Sequence, residues 1–497
     1  MTEINDTICA ISTPPGVGGI ATARISGPEA IQISDKIWQG RPLLHAKSHT
    51  AHLGTILDTH RQPLDQAIAT IFRAPHSFTA QDTVEISVHG SAYIQQELIA
   101  ALIAAGARLA EPGEFTRRAF IAGQFDLTQA EAIADLIAST SRAAQRLAFS
   151  QMRGSVSKQL EKLRSQLVEL ASLVELELDF SEEDVQFASR QHLRQLATDI
   201  HTRITRLHDS FATGQAIKNG IPTAIVGPTN AGKSSLLNAL AGDDRSIVSD
   251  IHGTTRDTIE DTINLPSGHT LRLIDTAGLR HTDDPIERLG IDRSISALAK
   301  ASIILAVCDT TQPHTIDPLL KQIHENAPAT PTLLILNKTD LLPPTKQQAE
   351  TVPLVATANS ESPEQPSETA SNDVTANSEE SEQQYNSVPH GAIVLSISAK
   401  TGQGIDKLRQ KLQQTATRLT AQADTEGIII TNARQAQALA QAAAALERAL
   451  HAIGQDLSGD LLAQDIRLAT HHLATLTGAI TTDTLLQTIF TRFCIGK

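Results

Sequence analysis

Three hydrophobic rhythms divide the 497-residue chain. Over residues 1 to about 120, short β-rich runs at Thr7–Ile11, Ala67–Phe72 and Val84–Val88 alternate with helical stretches such as Ala92–Ala105, which predicts a mixed α/β region. The chain then turns helical. Leu160, Leu163, Leu167, Leu170 and Val174 are spaced 3, 4, 3 and 4, so they share one stripe of a helix that packs against another helix. From about Gly220, apolar runs of strand length return at Thr223–Val226, Leu271–Ile274, Ile303–Val307, Leu333–Leu336 and Ile393–Ile397, with helical segments between them. That alternation predicts a mostly parallel sheet covered by helices. Residues 343–390, rich in Ser, Glu, Gln, Pro, Asn and Thr, break it and read as an exposed disordered insertion without catalytic duty. Beyond about 420 helix formers return, and Ala, Gln and Leu dominate Ala433–Ile453. Two helical blocks flanking one sheet region predict a discontinuous helical domain with the sheet domain inserted.

The sheet region carries the chemistry. Gly227-Pro228-Thr229-Asn230-Ala231-Gly232-Lys233-Ser234 fits G-x-x-x-x-G-K-[ST] between a predicted strand and a predicted helix. Its glycines let backbone N–H groups approach phosphate oxygens, and the helix N-terminus adds partial positive charge. Lys233 is expected to reach the β- and γ-phosphates and Ser234 to hold Mg²⁺. Next comes Gly253-Thr254-Thr255-Arg256-Asp257, whose Thr255 is a switch threonine expected on Mg²⁺ when the γ-phosphate is present. Asp275-Thr276-Ala277-Gly278 follows a strand; Asp275 is placed to reach Mg²⁺ through its water shell, and the Gly278 amide to meet the γ-phosphate. Asn337-Lys338-Thr339-Asp340 follows another strand, and Ser398-Ala399-Lys400 closes the base pocket. The Asp340 carboxylate can accept hydrogen bonds from guanine N1–H and the 2-amino group, a donor pair adenine lacks, so the base is that of GTP. Chance assembly of all five motifs in this order is negligible.

Two points stay open on the residues alone. Leu279 stands where many GTPases place a water-orienting Gln, and Asp283, Asp284 and Glu287 are the carboxylates that follow. Asn230 either ligates a monovalent cation doing the work of an arginine finger, or merely supports the loop.

Composition narrows the setting. Hydrophobic residues make up 40% and charged residues 19%, as in a globular protein of about three domains. Aromatics are 3%, so Leu, Ile, Val and Ala fill the interior. The formal charge of −14 lacks the basic excess of a stand-alone RNA binder, so a nucleic-acid role needs a local patch or a partner protein. Cys9, Cys308 and Cys494 are few and scattered, which fits a reduced compartment. No signal peptide opens the chain and no run approaches the ~18 apolar residues of a membrane span, so a cytoplasmic location is expected. Pro14–Gly19 reads as a plain turn, Cys494 as an inert thiol, Arg24 and Glu85 as surface or paired charges, and Arg117 and Arg118 as residues of a solvated helix face.

Longer blocks carry a resemblance. DTICAISTPPG at 6–16, LGTI at 53–56, EPGEFTRRAFIAGQFDLTQAEAIADLIAS at 111–139, the P-loop GPTNAGKSSLLNAL, GTTRD, DTAGLR, NKTD and the terminal Cys494-Ile495-Gly496-Lys497 make the chain similar to MnmE (TrmE), the bacterial tRNA-modification GTPase family. The resemblance implies an N-terminal folate-binding and dimerising α/β domain over 1–122, a helical domain in two parts over 123–218 and 419–497, and an inserted Ras-like G domain over 219–418. It implies a K⁺-stimulated GTPase, a homodimer. With MnmG, an FAD and NADH protein, it would form a heterotetramer and build an aminomethyl or carboxymethylaminomethyl group on carbon 5 of the wobble uridine, position 34, of certain tRNAs. The one-carbon unit would come from 5-formyltetrahydrofolate or a related reduced folate.

The resemblance also assigns residues. GTP contacts fall on Asn230, Ala231, Gly232, Lys233, Ser234, Ser235, Ser249, Asp250, Ile251, His252, Gly253, Thr254, Thr255, Asp275, Thr276, Ala277, Gly278, Asn337, Lys338, Asp340, Ser398, Ala399 and Lys400. K⁺ falls on Asn230, Ser249, Ile251 and Thr254, the water-orienting role on Glu287, and folate on Arg24, Glu85, Gln124 and Lys497. Cys494 serves modification and not hydrolysis. Val17 replaces the Arg of the family's PGRGG loop, Val88-His89-Gly90-Ser91 replaces an HGHGG-like stretch, and Gln124 replaces a Lys that would pair with the folate glutamate. The rival reading is an RNA-binding ribosome-assembly GTPase resembling Era or Der; it needs a basic module that neither flank offers.

Overall fold

Alternation of buried and outward-facing residues, clearest over Thr83–Gly90, builds the first sheet. In the computed structural model it comprises β1 (Ile8–Ile11), β2 (Gly18–Ser26), β3 (Trp38–Gly40), β4 (Thr50–Leu57), β5 (Pro63–Phe72), β6 (Thr83–Gly90) and β7 (Arg108–Leu109), in the order β3-β4-β5-β6-β2-β1-β7. Neighbours are antiparallel except β1 and β7. Val84, Ile86 and Val88 of β6 point into the core with Ala23, Ile25, Ala69 and Ile71, while Glu85 and Ser87 take the opposite face, as the two-residue period requires. Helices α1 (Ala30–Lys36) and α2 (Ala92–Ala105) cover the apolar face, α2 through Leu98 and Leu102. Strand β2 already begins at Gly18, so the expected turn at Pro14–Gly19 gives way two residues early; Gly18 pairs with Gly90.

The structure describes residues 6–179, 190–241, 262–274, 297–342, 393–421, 428–455, 459–491, 493 and 496. The predicted insertion at 343–390 lies outside them. Contacts group the chain into two units, one of residues 1–138, 147–208 and 432–497, the other of 139–146 and 209–431. Helices continue with α3 (Glu114–Ile121), α4 (Leu127–Ala138), α5 (Arg142–Met152), α6 (Ser155–Asp179) and α7 (Arg190–Asn219).

The second unit holds a six-stranded sheet. Its strands are β8 (Ile221–Val226), β9 (Thr262–Asn264), β10 (Thr270–Ile274), β11 (Ile303–Asp309), β12 (Thr332–Asn337) and β13 (Ile393–Ser396), in the order β13-β12-β11-β8-β10-β9. Every pair is parallel except the edge pair β9–β10. Strand β11 is buried along its whole length, as a central parallel strand covered on both faces must be. On one face lie α8 (Lys233–Ala241) and α10 (Ile405–Ala421), through Leu236, Leu408 and Leu412; on the other lies α9 (Ile316–Asn326), through Ile316, Leu320 and Ile323. The first unit closes with α11 (Ala433–Gly454), α12 (Gly459–Thr477) and α13 (Asp483–Phe490). The α6 stripe of Leu160, Leu163, Leu167, Leu170 and Val174 is buried, and α6 packs on α12.

An expectation about charge also fails. Arg118 is buried, not solvated. It lies one turn after Glu114 on the inner face of α3 and donates to Glu114 Oε1 at 2.8 Å, Asp6 Oδ1 at 2.7 Å and the Asp6 carbonyl at 2.7 Å. Arg108 donates to Glu114 Oε1 at 2.7 Å. Arg117 is half-buried and pairs with Glu111 at 3.3 Å. Sequence adjacency hid the difference, since neighbours on a helix point about 100° apart. Burial alone would raise the Glu114 carboxyl, yet hydrogen bonds from Arg108, the Glu111 N–H and Arg118 hold it below the usual carboxylate range.

Removing one partner of such a buried pair strands the other. Arg118→Ala is expected to cost about 3–5 kcal/mol, read as amide exchange in Glu114–Ile121 at least ~100-fold faster at neutral pH. Because the Glu114 value is depressed, its pairs contribute fully above the ordinary carboxylate range and fade as pH falls through the lowered value. The gap between wild type and Glu114→Gln should therefore narrow on acidification; a constant gap contradicts the ion-pair account.

Candidate functional site

The C-terminal ends of β8, β11 and β12 meet at one edge of the second sheet, where ligands bind in open α/β sheets. The loop from Gly227 to Gly232 connects β8 to α8. Gly227 takes φ 154°, and a β-carbon there would run into the Val307 carbonyl of β11; Gly232 takes φ 90°, and a β-carbon would strike the Asn337 amide. Only glycine fits at both places. Asn230 adopts φ 62°, a left-handed conformation that asparagine tolerates, so it shapes the loop whatever its side chain binds. Successive N–H groups in such a loop, followed by a helix N-terminus, form a cradle for an anion.

Lys233 opens α8. Its ammonium donates to the Gly227 and Pro228 carbonyls, both at 2.8 Å, so two of its three donors hold the loop while the third can serve a phosphate oxygen. Burial lowers the Lys233 pKa, an environment in which an anion would be welcome.

The base side is built on Asn337, which is 2% exposed at the end of β12. Its Nδ2 donates to the Ala231 carbonyl at 2.9 Å, and its Oδ1 accepts from the Ala399 N–H at 3.0 Å. One amide thus joins the phosphate loop to the Ser398-Ala399-Lys400 loop. Ser398 Oγ donates to Asp340 Oδ1 at 2.6 Å, fixing one carboxylate oxygen, and Ser398 is itself fully buried. Lys338, at φ 66°, pairs with Asp309 at 2.7 Å. Burial alone would raise the Asp309 carboxyl, but Lys338 and the N–H and hydroxyl of Thr311 hold it below the usual range. Sequence reading missed Asp309. Its signal was a lone carboxylate closing the apolar run of β11. Gly232, Ser235, Lys338, Asp340, Ala399 and Lys400 line a cleft of about 480 Å³, within the size range of ligand sites.

A second cluster lies in the first unit. Arg24 of β2 and Glu85 of β6 are cross-strand partners, joined by Arg24 Nη2 to Glu85 Oε1 at 2.8 Å. The guanidinium lies over the Phe78 ring at 5.4 Å and the Phe115 ring at 5.8 Å. Gly496 packs against the Ile11 carbonyl and Ser12, where β1 ends. Gln124 is exposed on the turn after α3. Ser249, Asp250, Ile251, His252, Gly253, Thr254, Thr255, Asp275, Thr276, Ala277, Gly278, Leu279, Asp283, Asp284, Glu287, Cys494 and Lys497 lie outside the described residues.

Two family models match the chain. One, described as "MnmE helical domain", covers residues 127–494; the other, "GTP-binding protein TrmE N-terminus", covers residues 7–124. The chain is 46% identical to "tRNA modification GTPase MnmE" of Parabacteroides distasonis, over 99% of this chain and 100% of the relative. It is 43% identical to the protein of that name from Christiangramia forsetii, over the whole of both chains. With that from Porphyromonas gingivalis it shares 44% identity, over 99% of this chain and 98% of the relative.

If Asn337 is the strut between the two loops, Asn337→Ala should loosen both. Loss of two buried hydrogen bonds, each worth about 1 kcal/mol, predicts guanine-nucleotide release roughly 10- to 100-fold faster in stopped flow. Release at the wild-type rate would remove the strut.

Proposed function

The chain belongs to the MnmE (TrmE) family of tRNA-modification GTPases, and on that premise we propose how its residues divide the work. It hydrolyses GTP in tRNA modification. In the reaction water attacks the γ-phosphorus, the bond to the β–γ bridging oxygen breaks, and GDP and phosphate leave. The observation carrying the assignment to this cleft is Asp340, pinned by Ser398 beside a phosphate loop that Asn337 ties to it. Asp340 accepts from guanine N1–H and the 2-amino group, Lys338 and Lys400 flank the ring, and Ala399 offers its surroundings to the carbonyl edge. Lys233 and the N–H groups of Asn230–Ser235 take the phosphates.

The donor set fits the ions of the family. Ser234 at the start of α8, with Thr255, would hold Mg²⁺; Asn230, with Ser249, Ile251 and Thr254, would hold K⁺. These cations supply charge neutralisation at the phosphates when bound. Glu287 orients the water that Leu279 cannot, and acts by position rather than by taking a place on phosphate. For modification, Arg24, Glu85, Gln124 and Lys497 form the site of a reduced folate, 5-formyltetrahydrofolate or a relative. The Arg24 guanidinium, stacked on Phe78 and Phe115, supports that reading by offering a flat cationic surface. Without a Lys at position 124 the folate glutamate keeps one fewer cation. Cys494 serves the modification chemistry.

The functional division is an N-terminal folate and dimer domain over 1–122, a helical domain over 123–218 and 419–497, and a G domain over 219–418. Exposed Ile20 and Leu53 on the first sheet, with exposed Val17 just before β2, support a homodimer through that domain. MnmG, carrying FAD and using NADH, completes a heterotetramer that acts on the wobble uridine in the cytoplasm. No described helix is long and apolar enough to cross a membrane.

Hydrolysis compared in K⁺ and Na⁺ at equal ionic strength is expected to run at least ~10-fold faster in K⁺, an effect of about 1.4 kcal/mol on the barrier; equal rates remove the cation from the mechanism. Mass spectrometry of wobble nucleosides is expected to lose the carbon-5 substituent in a deletion strain and regain it with the wild-type gene. Unchanged nucleosides would favour the ribosome-assembly reading.

A further inference from the structure

The corner between α5 and α6 carries cations that no carboxylate answers. Between Arg142 and Lys162 the sequence has five Lys and Arg but one acid, Glu161, in a chain of net charge −14. Phe149, near the end of α5, and Arg153, just past it, stand one helical turn apart on the same side. On α6, Lys158 and Lys162 are one turn apart and exposed, opposite the buried stripe of Leu160, Leu163 and Leu167. Elsewhere in the first unit, Arg24, Arg108, Arg118, Arg434 and Arg467 each reach a carboxylate. Among the described residues Arg153, Lys158 and Lys162 pair with none.

The corner is also held in place. Gln129 of α4 donates to the Met152 carbonyl at 2.9 Å, and Thr128 shares a hydrogen bond with Ser157 at 3.0 Å. Arg153 lies over the Phe149 ring at 5.9 Å, and Phe149 is 42% exposed. Unpaired cations on a braced corner beside an open aromatic face match a polyanion that also offers flat rings. Phosphates take the cations, and an unstacked base can take the ring. We infer that the surface of Phe149, Arg153, Lys158 and Lys162 is a contact for the phosphate backbone of the tRNA. This rests on the tRNA-modification reading above, and it gives an acidic chain the local patch that RNA contact demands.

The test uses the full-length protein and a transcribed wobble-uridine tRNA, with affinity followed by fluorescence anisotropy from low to high KCl. Each lost phosphate contact removes roughly 0.7–0.9 from the slope of log K against log salt. The triple variant Arg153→Gln, Lys158→Gln, Lys162→Gln should therefore flatten that slope by about 2 and weaken binding at least ~10-fold near physiological salt. Phe149→Ala should weaken binding about tenfold with the slope kept, since stacking carries no counterion term. GTP hydrolysis should stay at the wild-type rate in both. Parallel slopes and equal affinities overturn the inference. So does a triple variant that keeps its slope but no longer associates with the FAD partner, which would make the corner a protein contact. Wobble nucleosides read separately keep the two failures apart. Loss of the substituent in the deletion strain with parallel slopes sinks only this surface, whereas an unchanged substituent in the deletion strain with a flattened slope sinks only the modification reading.

Discussion

A single buried amide sets the geometry of the nucleotide cleft. Asn337 closes β12, and its two ends reach Ala231 in the phosphate loop and Ala399 in the base loop. An amide donates and accepts in the same plane, so an ionised Asp of similar size would leave the Ala231 carbonyl without its donor, and a Leu would leave both loops without a partner. The glycine at 232 follows from that choice, because the Asn337 amide occupies the space a β-carbon would need. Phosphate recognition and base recognition, far apart in sequence, are thereby held at a fixed spacing by the end of one central strand.

The first unit uses the opposite strategy. There the organising groups are charged: Glu114, 1% exposed, receives Arg108 and Arg118 together, and Asp6 receives both as well. Buried ions are expensive to desolvate and return that cost only when every lone pair is met. Four groups sharing one network meet the condition, and they fix α3 to the chain segment leading into β1. Phe115, the next residue on α3, is then set beneath the Arg24 guanidinium. A structural ion network and a candidate binding cluster thus share one short helix.

Much of this was legible in the sequence, for reasons that differ by element. The strands of the second sheet announce themselves because a doubly covered parallel sheet needs unbroken apolar runs, as in IILAVCD of β11. The motifs are legible because phosphate and guanine each impose a residue type on a fixed loop. Edge strand β9, three residues long, leaves no periodic signal. Arg118 was unreadable for another reason: a charged residue in a helix reads as solvated unless its partners are known, and Asp6 lies 112 residues away. Asp309 was missed because its role, holding Lys338, depends on two parallel strands ending side by side.

Charge is distributed with the same economy. A chain of −14 gains solubility and resists nonspecific adhesion to nucleic acid, because its mean field repels phosphate. Such a chain can approach RNA only where the field is locally reversed, and reversal requires cations without nearby carboxylates. Arg24, Arg108, Arg118 and Arg434 do not qualify, since each already serves an internal acid. Those at the α5–α6 corner do qualify, and screening at physiological salt limits their reach to about 8 Å. Attraction over so short a range acts on an RNA already brought close by other contacts, so the corner orients its partner rather than capturing it from solution.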